Sequence, residues 1–324
     1  MRRLLSVWGA LVFGLLCTSA VQAESQNLCT SIEKAKERLD CYDLSSKSIS
    51  TEQTGDAETP LQQRIKKEEL LSIVGDFIIV PYRPTYIMPV SYVANMNTAP
   101  LRQVYGDQVE YIQNYEAKFQ LSFKVPLWLN IAKKEMGLWF AYTQLSLWQL
   151  YNTEVSSPFR ETNYEPELAL AIDTDFKLFG MHNTFVLLGL NHQSNGQSEP
   201  LSRSWNRLYA TFVFEHKNIV AYIKPWYRLP EDSDDDDNPD ISKYLGYGEL
   251  SLFYIREKRN TGLRLWNNLR RDNNRTSVQL DWNFPINSTF KGYIQYFNGY
   301  GETLLDYNYR TKRLGLGIML TDWF

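Results

Sequence analysis

His192, Ser194 and Asn206 fall within one stretch, Leu188–Tyr209, which reads LGLNHQSNGQSEPLSRSWNRLY. Together they supply the parts of a nucleophilic site. A serine hydroxyl is a weak nucleophile until a base takes its proton, and an imidazole whose tautomer is fixed by a third group is the usual base. His192 and Ser194 stand two apart, so on a strand they share a face. As a bare pattern H-x-S is unspecific and also fits a polar strand end. The chain has no G-x-S-x-G nucleophile elbow, which argues against an α/β-hydrolase.

The elements that position this stretch follow from how the chain begins and how it alternates. Its 324 residues carry a net charge of −3, which gives no reason to expect nucleic-acid binding, and they are rich in Tyr (21), Phe (16) and Trp (9). Arg2 and Arg3 precede an apolar run, Leu4–Leu16, and small residues follow with Val21 and Ala23 in a V-x-A arrangement. Residues 1–23 therefore read as a signal peptide cleaved after Ala23. Cys17 follows Leu15 and Leu16 rather than small residues, which argues against lipoprotein processing. Beyond Ala23 no apolar run approaches the ~20 residues of a membrane helix, which leaves a secreted soluble protein or a membrane β-barrel.

Cys29 and Cys41 flank SIEKAKERLD in the exported chain. An oxidising compartment favours their pairing, whereas a continuous helix would hold them about 18 Å apart, so the bridge stays open at this point. Ser45–Gln63 is polar and reads as a mobile linker. Residues 24–81 are accordingly expected to form an N-terminal periplasmic segment and linker, and 82–324 the main domain.

From about Tyr82 the chain becomes segments of about ten residues with alternating polarity. The clearest is Lys118–Leu127, where Phe119, Leu121, Phe123, Val125 and Leu127 alternate with Lys118, Gln120, Ser122 and Lys124. Apolar-out and polar-in alternation marks a membrane barrel strand. The pattern predicts strands near 83–94, 116–128, 137–150, 165–177, 184–194, 203–214, 219–229, 242–255, 262–270, 275–284, 288–297 and 312–323. The expected fold is thus all-β, a transmembrane antiparallel β-barrel of about 12 strands with an N-terminal periplasmic extension. The last segment, RLGLGIMLTDWF, ends on an aromatic residue, as outer-membrane barrels do.

Connection lengths orient the barrel, because extracellular loops are long and periplasmic turns short. Short links near 178–183, 215–218, 256–261 and 285–287 alternate with longer ones near 151–164, 195–202, 230–241 and 298–311. Links 129–136 and 271–274 break the trend. Strand 184–194 then runs outward, and strand 203–214 returns, so His192, Ser194 and Asn206 lie at the outer rim. Val186, Leu188 and Leu190 share the parity of His192 and Ser194, while Leu208, Ala210, Phe212 and Phe214 share that of Asn206. The trio is expected to face lipid, where polar groups are penalised in a depth-dependent way unless they have a use.

At this point the chain resembles outer-membrane phospholipase A, the calcium-dependent barrel hydrolase of Gram-negative bacteria. The resemblance rests on NHQSNG (Asn191–Gly196), SRSWNRLY (Ser202–Tyr209), SSPFRETNYEP (Ser156–Pro166), KPWY (Lys224–Tyr227), DNPDISKYLGY (Asp237–Tyr247), YGETLLDYNY (Tyr300–Tyr309) and the terminal strand. It covers about Leu121 to Phe324. It implies Ser194 as nucleophile, His192 as base and Asn206 as the group orienting His192, in agreement with the parity reading. It further implies an oxyanion hole at the Gly196 amide, and calcium held by the carbonyl of Gln197, by Ser202 and by Ser156 from a partner subunit. Gln197 stands where family members carry arginine, a change the backbone ligand tolerates.

The loop Glu231–Asp240 packs seven carboxylates into ten residues. It fits either a calcium-binding loop or a solvated acidic loop, and by resemblance Asp237 alone is calcium-associated. Gln144 matches the family's dimer interface, although its own strand has mixed polarity. The resemblance therefore implies a homodimer, activated by dimerisation, that hydrolyses acyl esters of glycerophospholipids at the outer-leaflet rim, with phospholipase A1/A2 and lysophospholipase activity. The competing expectations are a non-enzymatic porin or scaffold barrel, and a hydrolase or acyltransferase acting on lipopolysaccharide.

Overall fold

The structure, a computed structural model, describes residues 38, 59, 61–65, 79–133, 136–287 and 289–323. The signal peptide expected over 1–23 and the Cys29–Cys41 pair lie outside the described residues. The chain divides into two units, Met1–Ile78 and Ile79–Phe324. In the first, the end of the expected linker is helical over 61–65. Thr59 and Gln62 explain this start: the Thr59 hydroxyl accepts from the Gln62 N–H (3.3 Å) and the Gln62 side chain accepts from the Thr59 N–H (3.1 Å). This is the reciprocal capping box.

The second unit is a barrel. A two-residue strand β1 (Val80–Pro81) is followed by β2 (Thr85–Val93), β3 (Tyr115–Trp128), β4 (Met136–Trp148), β5 (Phe159–Leu178), β6 (Met181–Ser194) and β7 (Ser204–His216). The remaining strands are β8 (Ile219–Arg228), β9 (Gly248–Arg256), β10 (Arg259–Asn267), β11 (Thr276–Pro285), β12 (Lys291–Gly299) and β13 (Thr311–Thr321). Each of β2 to β13 pairs antiparallel with its sequence neighbours, and β13 pairs back onto β2, so the twelve close into a ring. Closure leaves no sheet edge for lipid to meet. β1 pairs with β3 beyond the end of β2 and continues its line.

All twelve expected strands are present, with two starts shifted by six residues. β5 begins at Phe159 instead of 165, because RETNYEP pairs with β4 despite its charge. β9 begins at Gly248 instead of 242, because Ser242–Leu245 forms a short helix. Links on one end are short, and at the β5–β6 turn Phe179 (φ 50°) and Gly180 (φ 80°) both adopt the left-handed conformation that a type I′ hairpin demands. The opposite end carries the loops before β3, β5, β7, β9, β11 and β13.

The two faces differ as the alternation requires. Leu121, Leu188, Leu190, Leu208, Leu314 and Leu316 lie 46–50% exposed on the outer face. The inner face is polar, yet its side chains are buried. Glu116 bonds Arg160 (2.7 Å) and Arg313 (2.9 Å), while Glu302 bonds Lys118 (2.8 Å) and Arg313 (2.9 Å). A second group joins Arg83 to Glu165 (2.7 Å) and Glu167 (2.5 Å), with Arg207 on Glu165 (3.1 Å). Above the first group, the 229–247 and 300–310 loops fold inward and pack Ile241, Leu245, Leu304 and Tyr307 against Trp205, Trp266 and Phe297. A cross-linked, capped interior of this kind differs from the water-filled lumen of a porin.

The interior ion pairs make a stability prediction. Burial opposes the charge on Glu302, but Arg313 and Lys118 outweigh it and hold the carboxyl at about 2, below its ordinary 4.5. A depressed pKa stabilises the fold above the unfolded value and loses that contribution as pH falls through the folded one. Glu302→Gln leaves two buried cations short of a partner and is expected to destabilise the barrel by about 3–5 kcal/mol at pH 7. In denaturant titrations in detergent micelles, the gap to wild type should shrink as pH falls from 4.5 toward 2.

Candidate active site

The site grows from the pairing of β6 with β7. In this register His192 lies directly opposite Asn206, and Ser194 opposite Ser204. Asn191 is fully buried on the inner face, while Leu190 and Leu208 are exposed on the outer one, so His192, Ser194 and Asn206 belong to the lipid side as their parity requires. His192 and Ser194 are about 6.7 Å apart along the strand on that face. Gly189, on the inner parity, faces Tyr209, and a Cβ there would come within 2.4 Å of the Tyr209 ring. Glycine at this point lets the ring lie across the strand beneath the site.

The Nδ1 of His192 is 2.9 Å from the Asn206 Oδ1. The Asn206 Nδ2 in turn donates to the Glu231 Oε1 at 2.8 Å. With its amide nitrogen committed to a carboxylate, Asn206 offers its oxygen to His192, and Nδ1 must carry the proton. The Nε2 lone pair is then available as a base. The three side chains thus have the chemistry that a nucleophile, a base of defined tautomer and an orienting amide call for.

The loop after Ser194 is held by a residue absent from the expected set. Asn195 is buried; its Nδ2 donates to the Leu201 carbonyl (2.8 Å), and its Oδ1 accepts from the N–H groups of Gln197 (3.3 Å) and Arg203 (3.0 Å). The next residue, Gly196, has φ 64°, a left-handed conformation, and a Cβ would stand 3.0 Å from the Tyr164 ring. Both observations favour glycine here. Ser202 Oγ donates to the Asp237 Oδ2 at 2.5 Å, and the Ser204 N–H donates to the Asn238 Oδ1 at 3.0 Å. The structure therefore brings His192, Ser194, Gly196, Gln197, Ser202, Asn206 and Asp237 to one corner of the rim.

The acidic loop divides. Asp232, Asp234 and Asp235 are exposed. Glu231 engages Asn206, Asp236 pairs with Arg228 (2.6 Å), Asp237 engages Ser202 and Asp240 accepts from the Tyr307 hydroxyl (2.7 Å). Burial and the Asp240 bond together push the Tyr307 phenol above its ordinary pKa. Among the described residues no three His, Cys, Asp or Glu side chains converge as a metal cluster. The expected calcium donors are instead hydroxyl, carbonyl and carboxylate oxygens.

Ser156 stands apart, exposed on the β4–β5 loop with φ 60°, followed by Ser157 at 48°. The loop has a defined shape, since Ser157 N donates to the Asn152 carbonyl (2.7 Å) and the Trp148 indole to that of Ser157 (2.8 Å). Gln144 pairs with Leu121 on one side and Tyr164 on the other, and Tyr164 pairs with Ser194. One rung thus runs Leu121, Gln144, Tyr164, Ser194 across four strands. Leu121 and Tyr164 are outward-facing and exposed, so Gln144 shares the lipid face with Ser194.

A closed twelve-stranded barrel with an apolar outer belt and a serine, histidine and asparagine on that belt defines an integral outer-membrane barrel enzyme. The Phospholipase A1 family profile matches residues 61–320. Phospholipase A1 of Escherichia coli K12 is 40% identical over 254 residues, covering 76% of this chain and 83% of that protein. A putative phospholipase A1 of Neisseria meningitidis is 37% identical over 286 residues, covering 84% of this chain and 73% of that one. Among solved structures, outer membrane phospholipase A from Escherichia coli superposes with a TM-score of 0.71 at 40% identity, over 76% of this chain and all of that one. The Salmonella typhi outer membrane phospholipase dimer with bound calcium gives 0.72 at 37%, over 77% and 94%. The chain belongs to the phospholipase A1 family, and it is an outer-membrane phospholipase.

Proposed function

We propose that this phospholipase works through Ser194, His192 and Asn206, with calcium, in a dimer. His192 Nε2 takes the Ser194 proton as the hydroxyl oxygen attacks an acyl ester carbonyl of a glycerophospholipid in the outer leaflet. The tetrahedral intermediate collapses as His192 returns that proton to the departing glycerol oxygen, leaving an acyl-serine and a lysophospholipid. Water, deprotonated by the same imidazole, then cleaves the acyl-serine and releases fatty acid. Asn206 holds the Nδ1 proton throughout. Being neutral, it offsets imidazolium charge less than a carboxylate does.

The observation that carries this reading is the 2.9 Å contact of His192 with Asn206 on the lipid face, beside Ser194. A solved Escherichia coli relative altered from asparagine to alanine is described as an active-site mutant, which supports the role given to Asn206. The Gly196 amide, two residues beyond the nucleophile, donates to the oxyanion. The Gln197 carbonyl, Ser202 and Asp237, with Ser156 of the partner subunit, form an oxygen donor set of the kind calcium takes. When bound, the ion supplies positive charge beside the developing oxyanion. Gln144, on the same outward rung as Ser194, forms part of the dimer contact.

The test is fatty-acid release by purified protein in mixed micelles, with calcium and with a chelator. Removing an oxyanion stabiliser is expected to slow turnover by about 10²- to 10³-fold. Release at an unchanged rate in chelator would remove calcium from the mechanism.

A further inference from the structure

We infer that Glu231 is a positioning residue of the catalytic group, acting through Asn206; the inference rests on His192 being the base. The end of β8 sets its place. The β7–β8 register runs to Arg207 opposite Arg228, and one further bond, Leu229 N–H to the Asn206 carbonyl (2.8 Å), brings the chain alongside Asn206. Glu231 follows two residues later, and its Oε1 accepts from the Asn206 Nδ2 at 2.8 Å. The contact is shielded, with the Glu231 side chain 16% exposed. Arg228 lies 3.8 Å from the other carboxylate oxygen and 2.6 Å from Asp236, which balances the charges around it.

The chemistry follows from what each group can do. A side-chain amide has two orientations of almost equal shape, and only its partners distinguish them. With oxygen toward His192, Nδ1 holds the proton and Nε2 is a base. In the reversed orientation the amide nitrogen would face Nδ1, the proton would move to Nε2, and the imidazole could not deprotonate Ser194. A carboxylate cannot donate, so Glu231 admits the productive orientation alone. It also places a negative charge one amide away from the imidazolium, partly replacing what Asn206 lacks. Glu231 is thus separated in role from its six acidic neighbours in the loop.

Kinetics on mixed micelles of phosphatidylcholine and detergent, with calcium present, test this through four variants beside wild type. Glu231→Ala is expected to lower kcat by about tenfold with KM unchanged, as loss of an orienting partner does. Asn206→Asp sets two carboxylates against each other and should lose about a hundredfold, the low side of a disrupted triad. The double variant Asn206→Asp with Glu231→Gln restores a donor and acceptor pair in exchanged order. It should exceed the Asn206→Asp single by about tenfold, a coupling that damage to the fold cannot produce. A wild-type kcat for Glu231→Ala, or a double variant no faster than Asn206→Asp, overturns the inference. Ser194→Ala, run in parallel, separates the two levels: its activity at wild-type rate would reject the underlying mechanism, whereas its inactivity beside an unaffected Glu231→Ala rejects Glu231 alone.

Discussion

Ser194→Ala is expected to lower kcat for phospholipid hydrolysis on the order of 10⁴- to 10⁶-fold, with little change in KM or in barrel stability. The side chain lies at the outer end of β6, opposite Ser204, and fills no interior space, so its loss removes chemistry rather than packing. His192→Ala should be about as slow, and combining the two should cost little more, because a nucleophile without its base and a base without its nucleophile are equally idle. Asn206→Ala should be milder, since the imidazole itself remains and loses only the partner that fixes its orientation and tautomer. Stopped assays of fatty-acid release in calcium-loaded micelles measure all four. A Ser194→Ala protein that turns over at wild-type rate would exclude a serine mechanism.

Much of this was legible in the sequence because a membrane barrel exposes its polarity pattern twice over. On β3 and β13 the apolar parity reaches lipid and the polar parity meets a hydrogen-bonded interior, so strands and their facing could be read without an alignment. The start of β5 was not legible, since Arg160, Glu161, Asn163 and Glu165 look like a loop until distant parts of the chain bond them: Glu116 and Asp306 bond Arg160, Arg83 bonds Glu165, and the Leu304 and Leu305 N–H groups bond Asn163 and Glu161. Nor was the helix Ser242–Leu245, whose Leu245 is buried against Trp205 and Phe297 inside the barrel mouth. The outward facing of His192, Ser194 and Asn206 was visible through parity alone. Their supports were not: Asn195 acts by pinning a loop to itself, and Glu231 was one carboxylate among seven until the register of β7 and β8 brought it beside Asn206. Gln144 shows the same limit, because its facing follows from Leu121 and Tyr164 on neighbouring strands rather than from its own.

Mixing two inactive proteins is expected to restore activity if each site draws on two subunits. The exposure of Ser156 on its own shaped loop suits a ligand offered to another copy. Ser156→Ala should weaken calcium binding by about 10- to 100-fold, leaving little turnover at low calcium. In a mixed dimer, the subunit carrying Ser194→Ala still presents an intact Ser156 to its partner, whose own Ser194 is intact. One of the two sites is then complete, and the other lacks both groups. Random pairing of equal amounts gives half mixed dimers with one working site of two, so activity should recover to about one quarter of wild type. The recovery must require co-refolding or exchange of subunits and must vanish when both substitutions are placed in one chain paired with itself. Recovery absent from demonstrably mixed dimers would place the whole calcium site within a single barrel.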